Sequence, residues 1–352
     1  MMPSSEFWRD KRVLITGHTG FKGGWLTLWL QRLGAEVGGV ALPPNTAPNL
    51  FEAARVAAGM NSSFCDIRDA SALAGVLRDS RPEVVFHLAA QPLVRAGYRE
   101  PLATIQTNVL GTANLLEAIR HQPSVRVAVM VTTDKVYRNA EGIYPFREND
   151  PLGGHDPYSA SKAASEILIE SYRSAFLALQ GAAVASARAG NVIGGGDWAE
   201  DRLIPDAVRA WQNQETLRIR RPDSVRPWQH VLEPLAGYLA LARRLWEKPE
   251  LASAFNFGPA SNESVTVRDL IELSREAYGG GSVHYGDGSG GPHEASRLAL
   301  DTIKARIELG VSSRWTLKET VTRSIEWYQA YRKGVDAREL CMADIAAYES
   351  DS

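Results

Sequence analysis

Residues 11–189 alternate short apolar runs with amphipathic stretches, and few folds accept that rhythm. Lys11–Gly17 (KRVLITG) is rich in β-branched residues and ends on glycine, which reads as a buried strand. Phe21–Leu33 has helical spacing and stops at Gly34, placed to cap it. Glu36–Ala41 reads as a second strand, Ser63–Cys65 as a brief third and Ala70–Arg78 as a helix. Glu83–Leu88 is a fourth strand, Thr107–Arg120 a helix and Arg126–Thr132 a fifth strand. Pro157–Leu179 reads as one long helix and Ala183–Ala189 as a sixth strand. Buried strands joined by helices make a parallel sheet with helices on both faces.

The expected fold is therefore α/β, a Rossmann-type doubly wound parallel sheet. After Asn191 the rhythm breaks. GGGDWAEDRLIPD is loop-like, and Pro205–Gln212, Pro234–Trp246 and Arg268–Tyr278 read as helices around a strand at Ala254–Gly258. GGGSVHYGDGSGGPHE is glycine-rich and reads as a flexible loop able to close over a ligand. Residues 1–189, with returning segments at about 228–258, form the expected dinucleotide-binding domain. Residues 190–227 and 259–352 form a smaller, discontinuous α/β domain for substrate.

Composition narrows the function. At 352 residues the chain buries a core easily, and 44% hydrophobic with 23% charged residues is ordinary for a globular protein. A net charge of −2 offers no field for nucleic acid or anionic membrane. Cys65 and Cys341 make no disulfide framework and no zinc spacing, so no metal is expected and a reducing compartment fits. No signal-peptide core or spanning run appears, so a cytoplasmic protein is expected.

Gly17, Gly20 and Gly23 stand as G-x-x-G-x-x-G between the first strand and first helix. Glycines let backbone approach a pyrophosphate, and the helix N-terminus offers it free N–H groups. Asp66, after the third strand, can accept from an adenine amine. His87–Gln91 (HLAAQ) places the small Ala89 and Ala90 where a ribose or nicotinamide would lie. Each also has a plainer reading as a strand-end cap or packing residue. The second strand ends in VALPPN, without the acidic residue that normally grips the adenosine ribose. No arginine replaces it, which favours NAD over NADP.

VTTDKVY (131–137) and DPYSASK (156–162) supply the chemistry. Tyr158 and Lys162 are four apart and share a helix face. Asp156 at the N-cap and Pro157 at the first helical position start that helix. An ammonium beside a phenol favours the phenolate, which would make Tyr158 a base near neutral pH. Asp134 and Lys135 follow Thr133 at the carboxyl end of a parallel strand, where such sheets bind ligands.

These pieces resemble the extended short-chain dehydrogenase/reductase (NAD-dependent epimerase/dehydratase) family across roughly the whole chain. TTDKVY resembles the Thr-Asp-Glu signature of its nucleotide-sugar 4,6-dehydratases, with lysine third as in those acting on CDP-glucose. TGHTGFKGGWL, TNVLGT, ARAGNVIGGGDWAEDRLIPD, RPWQHVLEPLAGYLAL and FNFGP agree. VSSRW near Val311 departs from the usual L-G-W-x-P ending, a matter of packing. The resemblance implies NAD as cofactor, with Phe21, Lys22, Ile67, Leu88 and Thr107 added to its contacts and Lys162 on the nicotinamide ribose. It implies Tyr158 as base for the sugar 4-hydroxyl and Thr133 as hydrogen-bond partner of that oxygen. Asp134 becomes the acid for the departing 6-hydroxyl and Lys135 the carbon-5 base. Arg202 and Arg226 match positions near the diphosphate and nucleotide, Asn191 a sugar or phosphate contact, and His293 a ligand-approaching position. Gln91, Leu203, His230 and Asn256 join the substrate contacts. Trp198 and Trp228 read as core. It further implies CDP-glucose as substrate, a homodimer or homotetramer through the long helix, and a product feeding deoxysugars of bacterial surface polysaccharide, the O-antigen of lipopolysaccharide among them.

Two other readings stay open. A 4-epimerase or reductase on the same fold needs neither Asp134 nor Lys135. A silent NAD-binding regulator needs no tuned phenol, so Thr133, Tyr158 and Lys162 speak against it.

Overall fold

In the computed structural model, residues 3–139, 141–260, 263–288 and 295–350 are described. Strands β1 (Arg12–Thr16), β2 (Glu36–Ala41), β3 (Asn61–Phe64), β4 (Val84–His87), β5 (Val127–Val131) and β6 (Ala183–Ala189) join the strand Ala254–Phe257 in one sheet. Its order is Ala254–Phe257, β6, β5, β4, β1, β2, β3, and every pairing is parallel. The expected doubly wound α/β sheet is present. The chain winds outward from β1 through β2 to β3, then returns to β4 on the other side of β1. That reversal opens a crevice at the carboxyl ends of β1 and β4.

Period-two alternation feeds two cores. Val13 and Ile15 of β1, with Val127 and Val129 of β5, join Trp8, Trp25, Leu28 and Trp29 on one face. Leu14 of β1, with Ala128 and Met130 of β5, meets Leu73, Leu77, Leu115 and Leu116 on the other. Each buried Val, Leu, Ile or Met among them contributes about 1.5–3 kcal/mol by leaving water. The edge strand β3 is exposed throughout.

Several expectations need correction. The helix expected from Thr107 is preceded by helices Val94–Arg99 and Pro101–Ile105, and passes through a wide π-turn at Gln106–Leu110 into Gly111–Arg120. The long helix is regular only over Pro157–Tyr172, then widens at Arg173–Leu177 and tightens at Ala178–Gln180. The glycine-rich stretch contains a strand, Val283–Tyr285, parallel to Leu217–Ile219; its residues 289–294 lie outside the described residues.

The chain also ends in helices Leu317–Arg332 and Ala337–Ser350 that the sequence reading did not mark. The last one anchors to the glycine-motif helix Phe21–Arg32. Trp29 Nε1 donates to Glu349 Oε1 at 2.9 Å, and the Trp29 and Tyr348 rings meet edge to face. Trp315, in VSSRW, is buried edge-on against His230, and its N–H bonds Glu233, so that departure concerns packing.

Candidate active site

The glycine turn is built by what glycine omits. Gly17 has φ +81°, and a Cβ there would lie 2.7 Å from Ala89 N. A Cβ on Gly23 would press into the Gly17 backbone, with His18 Cα at 2.8 Å. Gly20 is the N-cap of Phe21–Arg32 and has no side chain to offer the first turn, whose N–H groups can take an anion. Leu88 N donates to Thr16 O and Ala89 N to Thr16 Oγ1, fixing the β4 end beside the turn, with Ala90 next to them. Phe21 projects toward Gly194, and Thr107 lies half-buried in the wide turn. A dinucleotide fits this cradle.

Ile67 is buried and requires Gly111 opposite it. Asp66 is less free than expected. Arg68 donates to both its oxygens, at distances down to 2.6 Å, and holds its carboxyl below the usual range. An adenine amine there competes with Arg68.

β5 delivers Thr133 and a single tight turn, Asp134–Val136. Thr133 Oγ1 caps the turn by accepting from Lys135 N and donates to Asp134 Oδ1 at 3.0 Å. Asp134 is 1% exposed, and its Oδ2 has no partner. Lys135 is half-buried at the turn. As expected, Asp156 caps the next helix by accepting from Ser159 N, and Pro157 opens it, so Tyr158 sits in the first turn.

The electrostatics differ from the sequence reading. Burial pushes the Tyr158 phenol up to about 12, and the groups that pull it down are a hydrogen bond with Thr133 and the charge of Arg202. Lys162 turns its ammonium to the Val131 carbonyl at 3.2 Å instead of the phenol. Burial lowers Lys162 to about 8, against the upward pull of Glu166. Lys22 joins the same cluster: burial, Arg202 and Lys162 lower it to about 7, while Asp134 pulls it up. Thr133, Asp134, Tyr158, Lys162, Lys22 and Arg202 thus converge at the crevice. This is a buried acid, a phenol and several cations around one small space, a set able to move protons on a hydroxylated ligand.

A family model described as GDP-mannose 4,6 dehydratase matches residues 14–324. The chain belongs to this dehydratase family. It is 45% identical over 355 residues to the CDP-glucose 4,6-dehydratase of Salmonella typhimurium, across 99% of each chain. Among solved structures it resembles MoeE5 in complex with UDP-glucose and NAD, at TM-score 0.77 and 26% identity over 91% of this chain and 99% of that one. It shares the fold of the dTDP-glucose 4,6-dehydratase of Bacillus anthracis in complex with NAD, at TM-score 0.76 and 22% identity, over 91% and 97%.

In this dehydratase family member the expected substrate residues divide. Arg202 is one-third exposed, faces Asp197 at 3.9 Å, and its charge reaches Tyr158. Leu203 begins the next helix beside it. Asn191 holds φ +47°, and its carbonyl accepts from Gln229 N. Gln91 braces its loop through Thr104 and Leu93 N, next to Gly97 and Tyr158. His293 lies outside the described residues.

Three further expected substrate residues are engaged by protein groups. Asn256 is fully buried: its Oδ1 accepts from Tyr137, and its Nδ2 donates to the Phe146 and Asp301 carbonyls. His230 is fully buried between Trp25 and Trp315, with Nδ1 accepting from Leu232 N. Arg226 is 5% exposed and donates to the Val225, Ala295 and Ser296 carbonyls. Trp198 packs among Trp327, Tyr328 and Tyr331, and Trp228 is buried, as core residues.

Sequence reasoning missed Tyr238. It is fully buried, its hydroxyl has no partner, and its ring lies 6.0 Å from Lys22 Nζ. The charges of Tyr158 and Asp134 reach it. The only signal was one tyrosine within the apolar run LEPLAGYLAL. Among the described residues no helix is long and apolar enough to cross a membrane, and no cluster of metal-ligating side chains occurs.

Proposed function

We propose that this chain converts CDP-D-glucose to CDP-4-dehydro-6-deoxy-D-glucose and water, using NAD. The observation that carries the reading is the buried Asp134 beside Thr133 and Tyr158, on a turn whose next residue is Lys135. An epimerase needs no such acid and base for elimination. The 45% identity over full length to a CDP-glucose 4,6-dehydratase supports the choice of nucleotide.

NAD supplies the hydride acceptor at carbon 4 and the hydride donor at carbon 6. Gly17, Gly20 and Gly23 admit its pyrophosphate, with Ala89 and Ala90 alongside. Lys162 sits at the ribose end. Tyr158 takes the proton of the sugar 4-hydroxyl, and Thr133 holds that oxygen. The resulting ketone acidifies carbon 5, whose proton passes to Lys135. Asp134 protonates the departing 6-hydroxyl, which leaves as water. Lys135 then returns its proton to carbon 5. The proton gained by Tyr158 balances the one lost by Asp134, so the net change is loss of water.

Residues 1–189 with about 228–258 serve as the NAD-binding part, and the remainder as the nucleotide-sugar part. Exposed Leu102, Ile105, Ile167, Phe176 and Leu179 lie on adjoining helices, which supports a homo-oligomer through that face. The setting is the cytoplasm, where nucleotide sugars are made.

The test is a substrate panel: protein with NAD and each of CDP-, dTDP-, GDP- and UDP-glucose, read by mass spectrometry for loss of one water. Water loss from CDP-glucose alone is the expected result. Water loss only from another member overturns the nucleotide assignment, and none from any member overturns the reaction. With Lys135→Met, turnover stops after oxidation and reduced nicotinamide accumulates; full turnover removes Lys135 as the base.

A further inference from the structure

We propose that the buried Glu166–Arg188 ion pair is the positioning element that ties the Thr133–Asp134–Lys135 turn to the Tyr158–Lys162 helix. The inference rests on the reaction proposed above.

Glu166 lies one turn beyond Lys162 on the helix Pro157–Tyr172, and Arg188 lies on β6. Their side chains are 3% and 4% exposed. Arg188 Nε donates to Glu166 Oε1 at 3.0 Å and Nη2 to Oε2 at 2.9 Å, a two-pronged geometry. The carboxylate takes two more donors: Thr132 Oγ1 at 2.5 Å and Ser186 Oγ at 2.6 Å. Thr132 immediately precedes Thr133. Arg188 also donates through Nη1 to Tyr137 Oη at 2.9 Å, and Tyr137 donates to Asn256. Tyr137 immediately follows the turn Asp134–Val136.

The catalytic turn is therefore clamped at both ends by one ion pair, and that pair is rooted in the helix carrying Tyr158 and Lys162. Asn256 extends the clamp to the carbonyls of Phe146 and Asp301. Such burial is hard to explain by stability alone, because buried ion pairs are commonly neutral or costly against apolar replacements. Misplacing a reacting group by about 1 Å costs on the order of 100-fold in rate. The pair also has an electrical effect. Lys162 faces the Glu166 carboxylate on its own helix, Lys22 from the glycine-motif helix and His87 from β4. Glu166 in turn faces Arg188 and Arg173. Among the groups facing Lys162, Glu166 is the anion.

Two variants test this. Glu166→Gln removes the charge, and the double variant Glu166→Leu/Arg188→Met replaces the pair by apolar groups, a change often tolerated in buried pairs, with thermal unfolding confirming the fold. The expected result for each is a kcat about 10- to 100-fold lower, with KM changed less than about threefold. In protein labelled at lysine Cε, with the Lys162 resonance assigned by its loss in Lys162→Arg, the titration midpoint falls in both variants. Loss of the nearby anion destabilises the ammonium, so the shift is toward lower pH. Wild-type kcat in the folded double variant overturns the proposal. So does an unmoved Lys162 midpoint, since the pair would then have no electrical hold on the Tyr158–Lys162 helix; a merely structural pair would lower the melting temperature and leave kcat in the folded variant unchanged. The midpoint is read without substrate, so it decides this proposal even if the wild type leaves CDP-glucose unchanged, an outcome that refutes only the reaction.

Discussion

Gly190 stands against the Asp134 carboxylate so closely that a Cβ at residue 190 would overlap it, with Oδ1 at 2.5 Å. The glycine follows β6 and the aspartate follows β5, neighbouring strands of the sheet. Asp134 can be buried with a free Oδ2 only because residue 190 has no side chain.

Gly190→Ala is accordingly expected to displace the Asp134 carboxylate, the proposed acid. Forcing a methyl into packed space costs about 1–3 kcal/mol, and kcat should fall on the order of 100-fold or more. Thermal unfolding and steady-state kinetics together check this. A variant with wild-type kcat would show that Asp134 is not the acid.

Gly23→Ala acts on the other side of the crevice. Its Cβ would drive the helix start away from Gly17, and NAD affinity should fall about tenfold or more, equivalent to 1.4 kcal/mol. Isothermal titration with NAD measures it, and unchanged affinity would remove the glycine turn from the cofactor site.

Arg202→Met removes a positive charge that favours the Tyr158 phenolate. The phenol pKa then rises further, and the limb of kcat that depends on its ionisation moves to higher pH. A pH–rate profile that moves to lower pH, or does not move, contradicts the placement of Arg202 in the cluster.

Acid stability follows from buried histidines. Burial holds His18 at about 4 and His87 and His230 at about 3, so the folded state refuses protons that the unfolded chain accepts below its pKa of 6.5. Stability present above pH 6.5 is lost as pH falls toward those values. Asp344, raised to about 6 by burial, works the other way, because the folded state binds its proton between about pH 6 and 3.8. The net difference approaches two protons, or about 2–3 kcal/mol per pH unit between pH 5.5 and 4. Urea denaturation across that range gives the slope, and His230→Phe should reduce it by about one proton. An unchanged slope would mean that His230 is not held neutral.

The strand–helix rhythm, the glycine turn and the DPYSASK helix start were legible because each depends on neighbours in sequence: period-two apolar runs, a Cβ-free turn, an Asp–Pro cap. Resemblance added the Thr133, Asp134 and Lys135 roles. It could not show the protein partners of Asn256, His230 and Arg226, since a polar residue near a site looks the same in sequence whether it faces a ligand or a buried carbonyl. Nothing local marked Tyr238, Glu166 or Arg188, whose importance comes from strands and helices that meet only when the sheet closes.

The amino-acid sequence by itself determined the parallel α/β architecture and where the chain bends at Gly17 and caps at Asp156, because these are short-range matters of sterics and hydrogen bonding. Only the tertiary structure decided which ionisable groups share one desolvated space. Lys22, Asp134, Tyr158, Lys162 and Arg202 are spread over some 180 residues of chain, and their mutual fields, with the burial that strengthens them, arise from the packing of separate elements at the crevice.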